Sequence, residues 1–132
     1  DDTVDAGEVG SGQCVTALYE IELKNNHSSS EDLGTVYVRY KDTDTQSFEE
    51  IARPLTGTLI RDRTIAQAPR LYLAASAARF AEWLRQSEHA KTTTLNQIQT
   101  IVDQVSAALP LDQDIRALAD LIRQADGLPR AP

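Results

Sequence analysis

The segment GTVYVRYK, residues 34–41, alternates apolar and polar side chains, which is typical of a β-strand with one buried face. One face carries Val36, Val38 and Tyr40, and the other carries Tyr37, Arg39 and Lys41. Because Tyr40 shares its face with aliphatic residues, we expect it to pack in a core. We expect Tyr37 to be exposed, since it points to the polar side.

Upstream, the segment CVTALYEIEL at residues 14–23 alternates in the same way and predicts another strand. Its apolar face carries Val15, Ala17, Tyr19, Ile21 and Leu23. We expect this strand to pair antiparallel with residues 34–41 through the polar loop at residues 25–32. Tyr19 should then pack in the core together with Tyr40.

Downstream, the sequence predicts a turn and a weaker strand. The run DTDTQ, residues 42–46, has the composition of a tight turn. Residues 48–55, FEEIARPL, predict a short third strand. Pro54 confines this strand to an edge of the sheet, because proline has no backbone N–H to donate.

The apolar period becomes helical after Pro69. Residues 67–86 predict an amphipathic helix that is dense in alanine. Its stripe is Leu73, Ala77, Phe80 and Leu84, with Tyr72 and Trp83 beside it.

Two further helices are predicted by their caps and stripes. Thr94 and Gln97 have the spacing of a capping box, which starts the second helix. The third helix starts at residues 111–112 and ends at Gly127, a C′ glycine. The two stripes are Leu95, Ile98, Val102, Val105 and Leu109, then Ile115, Leu118, Ile122 and Ala125.

Strands precede helices, so the sequence predicts an α+β fold: N-terminal antiparallel strands, as a partial β-sandwich or a small sheet, followed by a three-helix C-terminal segment. Residues 1–66 hold an acidic leader and the strands, and residues 67–132 hold the helices, packed on or beside the sheet in one structural unit. Small sheets need cover for their faces and edges. Either the helices supply that cover, or strands from upstream do. The chain has no methionine and opens with Asp1, so we expect a fragment of a larger protein.

The charge balance disfavours several classes of function. The 132 residues include 13 Lys and Arg and 20 Asp and Glu, for a formal charge of -7, all of which lies in residues 1–66. Nucleic acids and anionic membrane surfaces are disfavoured as partners, because both require clustered basic residues. One cysteine allows no intrachain disulfide, and with two histidines it cannot form a closed zinc site without many carboxylates. No apolar run is long enough to insert in a membrane as a helix.

Several residues could carry chemistry, and each also has a plainer interpretation. The leader carboxylates could hold Ca²⁺, but a solvated charge run is the plainer interpretation. These carboxylates are Asp1, Asp2, Asp5 and Glu8. The glycines at 7, 10 and 12 resemble a phosphate loop, yet they precede a strand, which favours a turn or bulge.

Nucleophilic or acid–base catalysis is not favoured by the residue pattern. Cys14, His27 and His89 lie far apart in the sequence, and nothing local brings them together. The carboxylate pairs Glu20 and Glu22, and Asp112 and Asp114, lack an evident partner acid, base or nucleophile. We interpret the glycosylation sequon at residues 26–28 as a surface feature. We interpret Arg61 and Arg63 in the same way, as a basic pair that holds the connection between sheet and helices to acidic neighbours. We expect no enzymatic activity and no cofactor.

The run DAGEVGSGQCVTALYE at residues 5–20, together with VYVRYK at 36–41 and AARFAEWLRQS at 77–87, resembles one known family. It is similar to the C-terminal domain of unknown function that follows the von Willebrand factor A module in bacterial proteins, some of them labelled calcium-activated chloride channel homologues. The segment DIRALA, residues 114–119, departs from the glycine-tyrosine-arginine and glutamate-phenylalanine pattern of that family.

This resemblance implies that upstream strands complete a β-sandwich and that the parent is a cell-envelope protein, periplasmic or extracytoplasmic. These 132 residues contain no Asp-x-Ser-x-Ser loop, so the metal-binding adhesion site is expected elsewhere in the parent. The implied function is a non-catalytic accessory domain that supports protein binding by the parent. The expected partners are the upstream von Willebrand factor A domain and another envelope protein. The alternative is an independent binding module that uses an exposed strand edge, including a homodimer through such edges.

Overall fold

The computed structural model describes residues 9–10, 12–23 and 32–128. Its elements are β1 (Asp32–Lys41), β2 (Phe48–Thr56), α1 (Pro69–Leu84), α2 (Leu95–Ala108) and α3 (Gln113–Ala125). Short 3₁₀ turns lie at Gly57–Leu59 and Glu88–Ala90. Two antiparallel strands followed by three helices confirm the predicted α+β fold, with a small sheet.

The sheet pairing differs from the prediction. Residues 14–23 have no regular secondary structure, and β1 pairs antiparallel with β2 instead. The connection between β1 and β2 is only six residues long, residues 42–47, so closing it costs less chain entropy than pairing across the longer polar loop. Pro54 lies in an edge strand as predicted, because both strands of a two-stranded sheet are edges.

The chain divides into two compact units, one of which is Glu20–Asp62, while the other contains the three helices. We call the first the hairpin unit and residues 63–128 the helical unit. The division between Asp62 and Arg63 lies close to the predicted change at residue 67. Packing of the helices on the sheet stays a prediction.

The helical unit has a continuous apolar core. Helix α2 packs against both α1 and α3. The stripes predicted for α2 and α3 are confirmed, although Leu109 and Leu118 are partly buried and Ala119 is buried as well. The buried core residues are Phe80, Trp83, Ala90, Leu95, Ile98, Val102, Val105, Ile115, Ala119, Ile122 and Ala125.

The buried face of α1 is rotated from the predicted stripe. Ser76, Phe80 and Trp83 are buried, whereas Ala77 and Leu84 are exposed. An alanine-rich helix gives a weak periodic signal, so the large Trp83 ring decides which face turns inward.

The helix ends are fixed by local hydrogen bonds. Thr94 forms the predicted capping box: its Oγ1 accepts from the Gln97 N–H at 3.3 Å, and its own N–H donates to Gln97 Oε1 at 2.9 Å. Helix α1 ends in a Schellman motif, in which Ser87 N donates to Glu82 O and Gln86 N donates to Trp83 O. Gln86 occupies the left-handed position of this motif, with φ 54°. Gly127 follows α3 as predicted, but its φ is not in the left-handed region.

Candidate functional site

The hairpin unit presents an apolar face that no described residue of that unit covers. In an antiparallel pair, residues opposite each other project to the same side. Val36 is opposite Arg53, Val38 is opposite Ile51, and Tyr40 is opposite Glu49. We call Val36, Val38, Tyr40 and Ile51 the hairpin apolar face. All four are exposed, Val38 by 53%.

The turn that joins the strands is built around one carboxylate. Asp42 Oδ1 accepts from the backbone N–H groups of Asp44 and Thr45, at 2.9 and 2.7 Å, and from the Thr45 hydroxyl at 3.0 Å. The Thr45 backbone N–H, then the Thr45 hydroxyl and the Asp44 N–H, hold the pKa of Asp42 below its usual value. The turn closes with Gln46 in the left-handed region, at φ 59°. This turn fixes the register and therefore the composition of each face.

Two further contacts order the strands. The Tyr40 hydroxyl donates to Glu49 Oε2 at 2.8 Å, and this hydrogen bond to the neighbouring carboxylate raises the pKa of Tyr40. On the opposite face the Arg39 guanidinium lies 4.7 Å from the centre of the Phe48 ring. Near the start of β1 the register shifts between Asp32 and Gly34, and Gly34 has φ 140°, a conformation that favours glycine.

The predicted places of the strand tyrosines are partly wrong. Tyr37 is exposed as predicted, with 62% of its surface accessible. Tyr40 is also exposed, because no described residue of the hairpin unit supplies the cover that the alternation of β1 implies. Tyr19 is 83% exposed, because residues 14–23 form no strand that could bury one face. The core that the two tyrosines were expected to share is therefore absent from the described residues.

Both outer edges of the hairpin are also unpaired among the described residues. The sheet contains β1 and β2 only, and no other strand in the described ranges pairs with either edge. An edge with free N–H and C=O groups can accept an additional strand. The hairpin therefore offers two modes of attachment, through its apolar face and through its edges.

The candidate catalytic and metal-binding residues are placed as follows. Cys14 is exposed and free, and His89 is exposed in a 3₁₀ turn. His27 lies outside the described residues. No group of three or more His, Cys, Asp or Glu residues that could hold a metal ion occurs in the described part of the chain. The leader carboxylates Asp1, Asp2, Asp5 and Glu8, and the sequon at residues 26–28, lie outside the described residues.

Other singled-out residues have local structural roles. Asp112 caps α3, since its Oδ1 accepts from Asp114 N at 3.2 Å, and its Oδ2 lies 3.6 Å from Arg70 Nη1. Arg61 donates to the Thr58 carbonyl oxygen at 3.0 Å, a contact other than the expected acidic neighbour, and no salt bridge of Arg61 with a carboxylate occurs among the described residues. The Arg63 carbonyl accepts from the Tyr72 hydroxyl at 2.6 Å.

The remaining sequence candidates lie near the start of the described chain. Gly12 lies in a turn closed by Gln13 N donating to Gly10 O, which confirms the turn predicted there. Gly7 lies outside the described residues. Glu20 and Glu22 are exposed and are not part of a strand. None of the helices in the described ranges is both long and apolar enough to span a bilayer.

In the described residues, these features define a small α+β domain with a capped three-helix core and a β-hairpin whose apolar face is exposed. The chain belongs to the family described as "Uncharacterized protein YfbK, C-terminal", whose sequence profile matches residues 1–128. The match supports the expectation of a C-terminal domain. No curated protein and no solved structure matches the chain significantly.

Proposed function

We propose that this chain is a non-catalytic accessory domain of a bacterial von Willebrand factor A type envelope protein, located on the outer side of the cytoplasmic membrane. In this proposal the hairpin apolar face attaches the domain to β-structure of the same protein. The domain thereby orients the part of the parent that binds a protein partner. The parent architecture and the location rest on the sequence resemblance described above.

The observation that carries the proposal is the uncovered hairpin apolar face. An isolated two-stranded hairpin is marginally stable in water, because it cannot bury enough apolar surface. Burying a side chain such as Val38 or Ile51 contributes about 1.5–3 kcal/mol, so cover for this face would stabilise the hairpin substantially.

The accessory, non-catalytic role is supported by the structural role of one candidate carboxylate. Asp112, which was considered for acid–base catalysis, caps α3. A family defined as a C-terminal region is also consistent with a domain that serves the rest of a longer protein.

Hydrogen–deuterium exchange tests the proposal by comparing this chain with the intact protein specified by its gene. We expect the β1 amides to exchange more than tenfold more slowly in the intact protein. Val38→Asp should remove that protection, because it places a charge on the covered face. Tyr37→Asp is the matched control, since it changes the adjacent residue on the opposite face. Equal exchange of β1 in the isolated chain and in the intact protein would refute the proposal.

A second candidate function is favoured by the open strand edges. The chain would then bind a strand of another protein, or of a second copy, along β1 or β2. This candidate predicts that replacing a β1 residue whose N–H points away from β2 by proline abolishes binding of the added strand. Val38→Asp should then have little effect on that binding. Sedimentation of the isolated chain tests the homodimer. A dimer that persists at micromolar concentration would support it.

A further inference from the structure

A groove between α1 and α2 lies entirely within the helical unit, and the proposed function does not use it. It encloses about 480 Å³. A volume of this size is in the range of small-molecule sites in proteins. Its lining residues are Tyr72, Ala75, Ser76, Arg79, Ile98 and Ile101, together with Thr93 and Gln97.

The groove has an apolar floor and a single cation. Ala75, Ile98 and Ile101 supply aliphatic surface, and Arg79 is the one charged residue of the lining. Arg79 Nη1 donates to Thr93 Oγ1 at 3.1 Å, and the Thr93 side chain is buried. This hydrogen bond holds the guanidinium against the loop before α2.

Arg79 differs from most other arginines of the helical unit. Arg70, Arg85 and Arg123 each lie beside a carboxylate, namely Asp112, Glu82 and Asp120. Among the described residues, no carboxylate forms a salt bridge with Arg79. The guanidinium has five N–H donors, so a single hydroxyl partner leaves most of them for a ligand. An oriented arginine without an acidic neighbour favours an anionic ligand group.

The geometry points to a ligand class, and we propose that this groove binds an aliphatic carboxylate. The carboxylate pairs with the Arg79 guanidinium, which can donate two parallel N–H···O bonds to it. The aliphatic part lies on Ile98 and Ile101, and the Thr93 and Ser76 hydroxyls border the charged end. A phosphate group fits less well, because it carries more charge than one arginine compensates and gains nothing from the isoleucines. The carboxylate can come from a free carboxylic acid or from the C-terminal residue of a peptide.

Nuclear magnetic resonance titration of the full chain tests this site. The probes are hexanoate against 1-hexanol, and acetyl-Ala-Leu with a free carboxylate against its C-terminal amide. We expect at least one carboxylate to shift the amides of Ser76, Thr93 and Ile98, with a dissociation constant on the order of 1–10 mM. Each neutral analogue should bind at least fivefold more weakly. Binding of hexanoate alone identifies a free acid as the source, and binding of the peptide alone identifies a peptide terminus.

Variants separate binding from a merely structural role of Arg79. Arg79→Gln should weaken carboxylate binding at least tenfold, and Arg79→Lys should weaken it less. Arg123→Gln, on α3, is the matched control and should leave binding unchanged. Circular dichroism and Trp83 fluorescence establish that each variant is folded. If Arg79→Gln unfolds the chain, two other results decide whether the groove binds a carboxylate. These are the comparison of charged with neutral probes and the affinity of the Arg79→Lys variant. The proposal is overturned if the neutral probes bind as well as the carboxylates, if neither carboxylate shifts the groove amides, or if a folded Arg79→Gln variant retains full affinity.

Discussion

Replacing Ile115 by alanine tests how the helical unit is stabilised. Ile115 lies in the first turn of α3 and is 0% exposed. The substitution removes three carbon groups from the core, worth about 0.8 kcal/mol each in transfer free energy. The cavity that remains adds about 1–2 kcal/mol, because the surrounding helices relax only in part. We therefore expect a loss of about 3–5 kcal/mol in the free energy of unfolding.

This loss is large compared with the stability available. A unit of about sixty residues is expected to have a free energy of unfolding of about 3–9 kcal/mol. Ile115→Ala should therefore remove at least about a third of the stability of the helical unit and lower its urea midpoint accordingly. Ile115→Val should cost only about 0.5–1.5 kcal/mol, since it removes one methylene group.

Urea denaturation measures the effect with two signals. Trp83 is the single tryptophan and is buried in α1. Because Ile115 belongs to α3, Trp83 fluorescence reports on a helix other than the one that carries the substitution. Far-ultraviolet circular dichroism reports on all three helices. The two transitions should shift together. The control is Leu121→Ala on the same helix, where the side chain is 54% exposed and the cost should stay below about 1 kcal/mol. A loss below about 1 kcal/mol for Ile115→Ala, or equal losses for the two variants, would show that α3 is not part of a tightly packed core.

Three further predictions concern the caps and the turn. Thr94→Ala removes the side-chain half of the capping box of α2 and should lower the free energy of unfolding by about 0.5–2 kcal/mol in urea titrations, whereas Thr92→Ala should leave it nearly unchanged. Gln86→Gly should raise the melting temperature, because it relieves a left-handed residue that costs about 1 kcal/mol, and Gln86→Ala should give no such gain. The folded-state pKa of Asp42 is lowered, so its contribution to the hairpin is present above the unfolded value of 3.8 and is lost as the pH falls through the lower folded value. The Thr45 amide resonance should therefore titrate with a midpoint below 3.8, and a midpoint at or above 3.8 would contradict the described turn.

The helices could be predicted from the sequence because their signals are local. The Thr94 and Gln97 pair is a complete capping box in the sequence, and the stripes of α2 and α3 use strongly apolar residues. The α1 face was predicted only in part: Phe80 is buried and Leu73 packs against the core as expected, but the alanines define no clear side and Trp83 decided the orientation. The end of α1 was predicted within two residues, but its Schellman motif was not, since Gln86 fills a position where glycine is the usual signal.

The strand pairing depends on competition between partners, which alternation alone does not reveal. Residues 14–23 and 34–41 have the same pattern, yet only 34–41 has a nearby strand joined by a turn that Asp42 closes. The exposed fraction of a strand face depends on what covers it. This is why Tyr40 was expected in a core and is exposed in the described hairpin. The Arg79 groove lies between two helices and is a product of packing, so no sequence motif marks it.

The order in which the helices touch has a consequence for how this domain forms. Helix α2 contacts the helix before it and the helix after it, so the contacts of the core connect neighbours along the chain. Proteins with such low contact order fold on the microsecond to millisecond scale, faster than those that must bring distant strands together. The helical unit can thus collapse early, from contacts between consecutive helices. Under the proposed function, a neutral helical bundle that has already folded would carry the hairpin while its apolar face gains cover.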